Sequence, residues 1–240
     1  MSRTVDDRLD RGVGEPRPAG VSVAGALVAG GWALAVVATL FHPGGHEDDH
    51  PVIFAKYADS GPWVAVHLAQ FVGVLVALGG VVVLHHVLMT SGWSSMLGRL
   101  AAGSAVATAA VWAVLQGLDG VALKQAVDAW QSAPAGQAPL RFATAETVRW
   151  LEWGFQSYFR VMLGVTFLLS GSALLAGRVL GRSVGWVAVV AGLVSVAIGI
   201  DVGYSGLASG LQDALGLAFL VAGLAFAVGL MVTGRHGARG

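Results

Sequence analysis

The sequence predicts an all-α fold: a polytopic transmembrane helix bundle of about six spans with both termini cytoplasmic. Three observations predict it. First, 55% of the 240 residues are hydrophobic and only 12% charged, where a soluble domain carries about 25% charged residues; mean hydropathy is +0.72. Second, the apolar residues fall into six runs of about 17–26 residues, the length needed to cross a hydrocarbon core with all backbone hydrogen bonds internal. Third, the basic residues between the runs are asymmetric. Arg3, Arg8, Arg11, Arg17, Arg99, Arg178, Arg182, Arg235 and Arg239 fall on the side of the termini, against Lys56, Lys124, Arg141 and Arg149 on the other. Basic loops stay in the cytoplasm.

The elements follow in order. Residues 1–19 are polar and Arg-rich, and are expected to form a disordered cytoplasmic tail. The run at 21–41 is longer than a signal-peptide core and no small-residue cleavage motif follows it, so it reads as an uncleaved first span. The further spans are expected at 63–88, 96–118, 150–177, 184–200 and 214–233. The transmembrane domain thus covers 20–234, with a short basic tail at 235–240. The stretch 119–149 is more polar and carries Pro134, Gly136 and Pro139. It is expected to be a broken outer loop with one short interfacial helix, VALKQAVDAWQ, and Trp130 at the headgroup level. The 35 glycines read as helix-packing surfaces.

Several functions are excluded. Net charge is zero, which leaves no electrostatic case for a nucleic-acid partner. With no cysteine in the chain, disulfides, thiolate catalysis and thiolate-ligated metals are ruled out. No phosphate-binding glycine loop, GxSxG elbow or kinase signature is present.

Polar residues inside or beside spans cost free energy, and they face the bundle interior or water. Here they gather at one end. The candidate ligand-binding residues are His67, Gln70, Gln116, Asp119, Glu152, Gln156, Arg160, Asp201 and Asp213. Glu152, Gln156 and Arg160 are spaced i, i+4, i+8, one stripe of a helix; His67 with Gln70 and Gln116 with Asp119 are spaced i, i+3. A cavity open to the outside and lined by these stripes keeps all of them out of lipid. In such a cavity Arg160 is expected to approach an acid from another span, Asp119 or Asp201. The competing readings are that these residues join helices and bind nothing, or that Arg160 is interfacial and snorkels.

The second candidate is the stretch 42–50. His42, His46 and His50 offer imidazoles to a transition metal, with Glu47, Asp48 and Asp49 as carboxylate donors. Pro43-Gly44-Gly45 prevents a regular helix there, and no specific zinc signature is matched. A solvated turn is the alternative. Spans three to six contain no histidine, which argues against a haem clamped between helices.

The segments FHPGGHEDDHP, WVAVHLAQF and WLEWGFQSYFR resemble those of small uncharacterised bacterial multi-pass membrane proteins with about six spans and a His/Asp-containing first outer loop. The resemblance covers about a third of the chain and implies no activity and no catalytic residue. Three classes of function remain: a binding or transport protein for a metal ion or small polar solute, a membrane enzyme or redox subunit, and an accessory membrane protein without a ligand. Nothing in the sequence requires turnover. The lipid bilayer is the one partner it implies, and the cell membrane the location.

Overall fold

A computed structural model describes residues 18–88, 92–178, 180–207 and 209–236. Residues 1–17 of the expected 1–19 tail and residues 237–240 of the expected 235–240 tail lie outside the described residues; helix already covers Pro18 and Ala19 at one end and Arg235 and His236 at the other. Every regular element among the described residues is helical: α1 (Pro18–Thr39), α2 (His50–Asp59), α3 (Trp63–Val87), α4 (Trp93–Gly117), α5 (Lys124–Gln131), α6 (Ala138–Gly177), α7 (Arg182–Ser205) and α8 (Gly210–His236). A π-helical segment, Leu118–Leu123, joins α4 to α5 without a break. Six helical rods are long and apolar enough to cross a membrane: α1, α3, α4 with α5, α6, α7 and α8.

Each rod packs on the next in chain order, and α8 returns to α1. The six therefore form a closed ring. Two seams of the ring are built from small residues at intervals of seven. On α6 these are Ser157, Gly164 and Gly171; facing them on α7 are Gly199, Gly192 and Gly185. A Cβ added at Gly164 would stand 2.6 Å from the Gly192 carbonyl oxygen, and one at Gly171 2.6 Å from that of Gly185. Only glycine permits backbones this close, and close approach is how helices gain van der Waals contact in lipid, where no hydrophobic drive separates them from acyl chains. A seven-residue period keeps the stripe on the shared face of two left-handed supercoiled helices. Gly31, Gly73 and Gly80 do the same between α1 and α3.

The region 119–149 departs from the expected broken loop. The chain stays helical through Gln131, turns around Pro134 and Gly136, and re-enters helix at Ala138. Pro139 sits in the first turn of α6, where a missing N–H breaks no intrahelical bond. At 1.5 Å per residue, α6 is about 60 Å long, roughly twice the hydrocarbon thickness. Its first third and α5 therefore form a hairpin standing beyond the apolar part of the bundle. Low hydropathy there comes from the hairpin's wet face, not from a loop.

Helix α2 lies across this hairpin as a cap. The Asp49 side chain accepts a hydrogen bond from the Val52 amide, and Pro51 occupies the first turn, both N-terminal signals. Its inner face, Ile53, Phe54 and Tyr57, forms a second core with Trp63, Leu123, Val127 and Ala145. The His42–Gln70 stretch is thereby fixed over one end of the ring.

Candidate functional site

Beneath the cap lies a half-open cavity of about 570 Å³. Polar residues of α3, α4 and α6 and apolar residues of α1 and α8 share its lining. Of the residues singled out in the sequence, Gln70, Gln116, Asp119, Glu152, Gln156, Arg160 and His42 line it. His67 reaches it through Asp119, with Nε2 3.0 Å from Asp119 Oδ2.

Asp201 and Asp213 stand elsewhere. Asp201 accepts hydrogen bonds from Ser209 Oγ (2.5 Å) and Gln212 Nε2 (2.8 Å), holding the turn between α7 and α8. Asp213 is exposed in the first turn of α8, where a negative charge complements the helix dipole.

The three histidines of the 42–50 stretch separate. His46 is exposed, and its carbonyl accepts from the Asp49 amide. His50 points into the cap, with Nδ1 2.8 Å from Glu146 Oε1 and its ring stacked on Phe54. His42 turns instead towards the bundle. There His42, His67 and Asp119 each present one ligand atom, all within 4.8 Å of one another. They form the one such triad among the described residues.

Local structure prepares this triad. His67 Nδ1 lies 2.8 Å from the Trp63 carbonyl oxygen one turn back in α3. His42 Nδ1 lies 2.9 Å from the Pro43 carbonyl oxygen. A carbonyl accepts only, so each Nδ1 carries a proton and each Nε2 is left for another partner. This is how metal-ligating imidazoles are oriented. The π segment carries the third member. Its extra residue per turn re-aims Asp119 towards α3, and such turns recur at functional sites. Gly120 makes room: a Cβ there would stand 2.6 Å from His67 Cβ. Trp63 closes the site from above, donating its indole N–H to the Asp119 carbonyl (3.2 Å) with its ring 4.4 Å from His67 and 4.9 Å from His42. Burial, above all, pulls the His42 pKa below its ordinary value against the opposing attraction of Asp119. Its imidazole is consequently neutral at pH 7, the form that ligates.

A neutral His67 with its proton on Nδ1 would present a lone pair to the Asp119 carboxylate at 3.0 Å. A cation must therefore lie between these two atoms, either a second proton on the ring or a metal ion. Asp119 Oδ1 and Gln116 Oε1 are also buried without a hydrogen-bond partner. The unsatisfied Asp119 oxygen beside two imidazoles makes a donor set for a cation.

A second cluster is self-contained. Arg149 donates from one terminal nitrogen to Glu152 (2.6 Å) and from the other to Glu47. Its guanidinium lies over the rings of Tyr57 (5.6 Å) and Trp153 (5.5 Å). The Tyr57 hydroxyl donates to Glu47 at 3.0 Å. Burial raises the Tyr57 pKa, partly offset by Arg149, so the phenol keeps its proton. Glu47 ties the loop to α6 through this network. Sequence reasoning left Arg149 and Tyr57 out of the site; the i, i+3 spacing of Arg149 and Glu152 was the available signal.

Arg160 differs from both. Among the described residues no carboxylate lies within ion-pair distance of it, neither Asp119 nor Asp201. Its guanidinium rests 5.7 Å from the centre of the Phe219 ring, and its Nε is buried without a partner.

No family model matches this chain, and neither a curated protein nor a solved structure matches it.

Proposed function

We propose that this chain is a multi-pass protein of the cell membrane, termini cytoplasmic, that binds a transition-metal ion on His42, His67 and Asp119 beneath an extracytoplasmic cap. The ion sits at the polar wall of the cavity and makes the protein a binding or transport component. The observation that carries the reading is the pinning of both Nδ1 atoms by backbone carbonyls around a triad whose ligand atoms lie within 4.8 Å. Two imidazoles and a carboxylate suit zinc and its first-row neighbours, and three protein ligands leave a coordination position towards the cavity. The positive-inside asymmetry of the loops supports the orientation.

Metal analysis of the protein purified in detergent without chelator tests it. About one ion per chain is expected, lost in His67→Ala and in Asp119→Ala. The double variant His46→Ala/His50→Ala keeps the ion, because those side chains stand outside the triad. Loss in the double variant, with retention in the triad variants, would move the site to the loop. No ion in any of them would leave the second proton on His67 as the cation. Reporter fusions after Gly45 and at the C-terminus should fall on opposite sides of the membrane.

A further inference from the structure

We infer that the same cavity takes an anionic amphiphile, a carboxylate or phosphate headgroup on a hydrocarbon chain, with the headgroup at Arg160 and the chain along the wall between α1 and α8. The inference goes beyond the metal-ion reading above and does not depend on the ion.

The polar end of the argument is Arg160. A guanidinium keeps its charge under all biological conditions, and burying it unpaired is costly unless something compensates. Arg149, on the same helix, also leaves its Nε buried without a partner, but its two terminal nitrogens hold two carboxylates. Arg160 holds none, although its position is not accidental. Its backbone carbonyl accepts from Ser195 Oγ of α7 at 2.7 Å, within the tightly packed α6–α7 seam. On this firmly placed stretch of backbone, a guanidinium with a buried, unpartnered Nε and no carboxylate in reach lines an open space. Trp112, on the same wall, also has an indole N–H without a partner. Two unmet donors, one of them cationic, specify an acceptor with negative charge. The planar guanidinium fork matches carboxylate and phosphate oxygens.

The apolar end decides against a small polar solute. Beside Arg160 the wall is Trp32 and Val36 of α1 with Phe219, Leu220 and Leu224 of α8. A sugar or an inorganic anion gains nothing from that surface. Glycine use there is the reverse of that in the seams. A Cβ added at Gly216 or Gly223, both lining the cavity, would meet nothing within 4 Å. These glycines do not bring backbones together; they widen the space. A volume of about 570 Å³ lies within the range of pockets that enclose an organic ligand, mostly by apolar contact with a few fixed polar groups. A headgroup at Arg160 and a hydrocarbon chain along that wall fit both at once.

The test is equilibrium binding of radiolabelled palmitate, of phosphatidic acid and of phosphatidylcholine to the full chain in a neutral detergent, with inorganic phosphate as competitor. One palmitate or one phosphatidic acid per chain is expected to bind saturably, the favoured one identifying the headgroup. Phosphatidylcholine and millimolar phosphate are expected to compete poorly. Arg160→Gln should weaken binding at least about tenfold, and Arg160→Lys should recover part of it. Gly223→Leu should weaken it similarly by filling the apolar wall, while Asp213→Asn, outside the cavity, should bind as the unaltered chain does. Metal content should be unchanged in all four, so loss of the ion and loss of the amphiphile are separate results. The inference is overturned if neither anionic lipid saturates. It is equally overturned if Arg160→Gln and Gly223→Leu bind normally, or if phosphate alone displaces the lipid at equal concentration. Should Arg160→Gln not fold, Arg160→Lys and Gly223→Leu carry the same test.

Discussion

Arg149 and Arg160 lie on one face of α6, three turns and about 16 Å apart, and meet opposite surroundings. Arg149 is enclosed by Glu47, Glu152, Tyr57 and Trp153. Arg160 has an aromatic ring beneath it and an open cavity beside it. The difference separates two uses of charge in a membrane bundle. A cation matched by carboxylates of its own chain is structural: here it clamps the loop and cap onto α6. A cation left unmatched at a cavity wall is held in position for something that arrives later.

The largest expected effect sharpens this contrast directly. Arg149→Leu leaves Glu152 and Glu47 without their shared counter-charge, one of them fully enclosed. Removing one member of a buried ionic cluster costs about 3–5 kcal/mol. Arg160→Leu removes no ion pair and relieves a buried, unpaired charge, so it should leave stability unchanged or raise it. Thermal unfolding of both variants in detergent checks this. Equal losses would show that Arg160 is structural after all, and the comparison would fail.

A smaller effect carries the comparison to the glycines. In the α6–α7 seam, Gly192→Ala puts a Cβ 2.7 Å from Leu168 Cγ and 2.8 Å from the Gly164 carbonyl oxygen. Backbone cannot yield as a side-chain tip does, so the helices must part, at about 1–3 kcal/mol. Gly223→Ala meets open space and should be neutral, or gain slightly from helix propensity. Unfolding midpoints of the pair decide between a cavity wall and a second sealed seam: a comparable loss at Gly223 would mean that α8 packs as closely as α7.

The seams were open to reading from sequence, because Gly185, Gly192 and Gly199 repeat at seven residues. So were the six spans, since lipid demands unbroken apolar length. The 119–149 hairpin was hidden because one face of each helix is wet, and hydropathy averages the two faces into an apparent loop. The site was half legible. Glu152, Gln156 and Arg160 show their stripe by spacing alone, but no spacing tells which arginine finds an acid. His42, His67 and Asp119 come from a loop, α3 and a π segment, so their meeting depends on tertiary structure. The π segment itself leaves no period in its six residues of sequence. The compact HEDDH run drew attention to His46 and His50, which the fold of α2 turns away from His42.

The smallest effect concerns pH and distinguishes the triad from both arginines, which do not titrate in the biological range. His42 faces Asp119 of the π segment, His67 of α3 and Glu47 of its own loop, and burial outweighs the two carboxylates in setting its pKa below the ordinary value. In the unfolded chain His42 titrates near 6.5. Above that pH it is neutral in both states and contributes no pH dependence. As pH falls below about 6.5, the unfolded chain takes up a proton that the folded chain refuses, so the folded state loses stability. Metal-free protein should therefore unfold at a lower temperature at pH 5.5 than at pH 7.5, and His42→Gln should flatten that slope. The residual slope belongs to the other histidines, so only the difference between the two chains is diagnostic. Bound metal should oppose the loss, since an ion on Nε2 excludes the proton. A slope unaltered in His42→Gln would mean that His42 stands in water rather than beneath the cap, and the separation of a closed ionic clamp from an open ligand site would then rest on Arg160 alone.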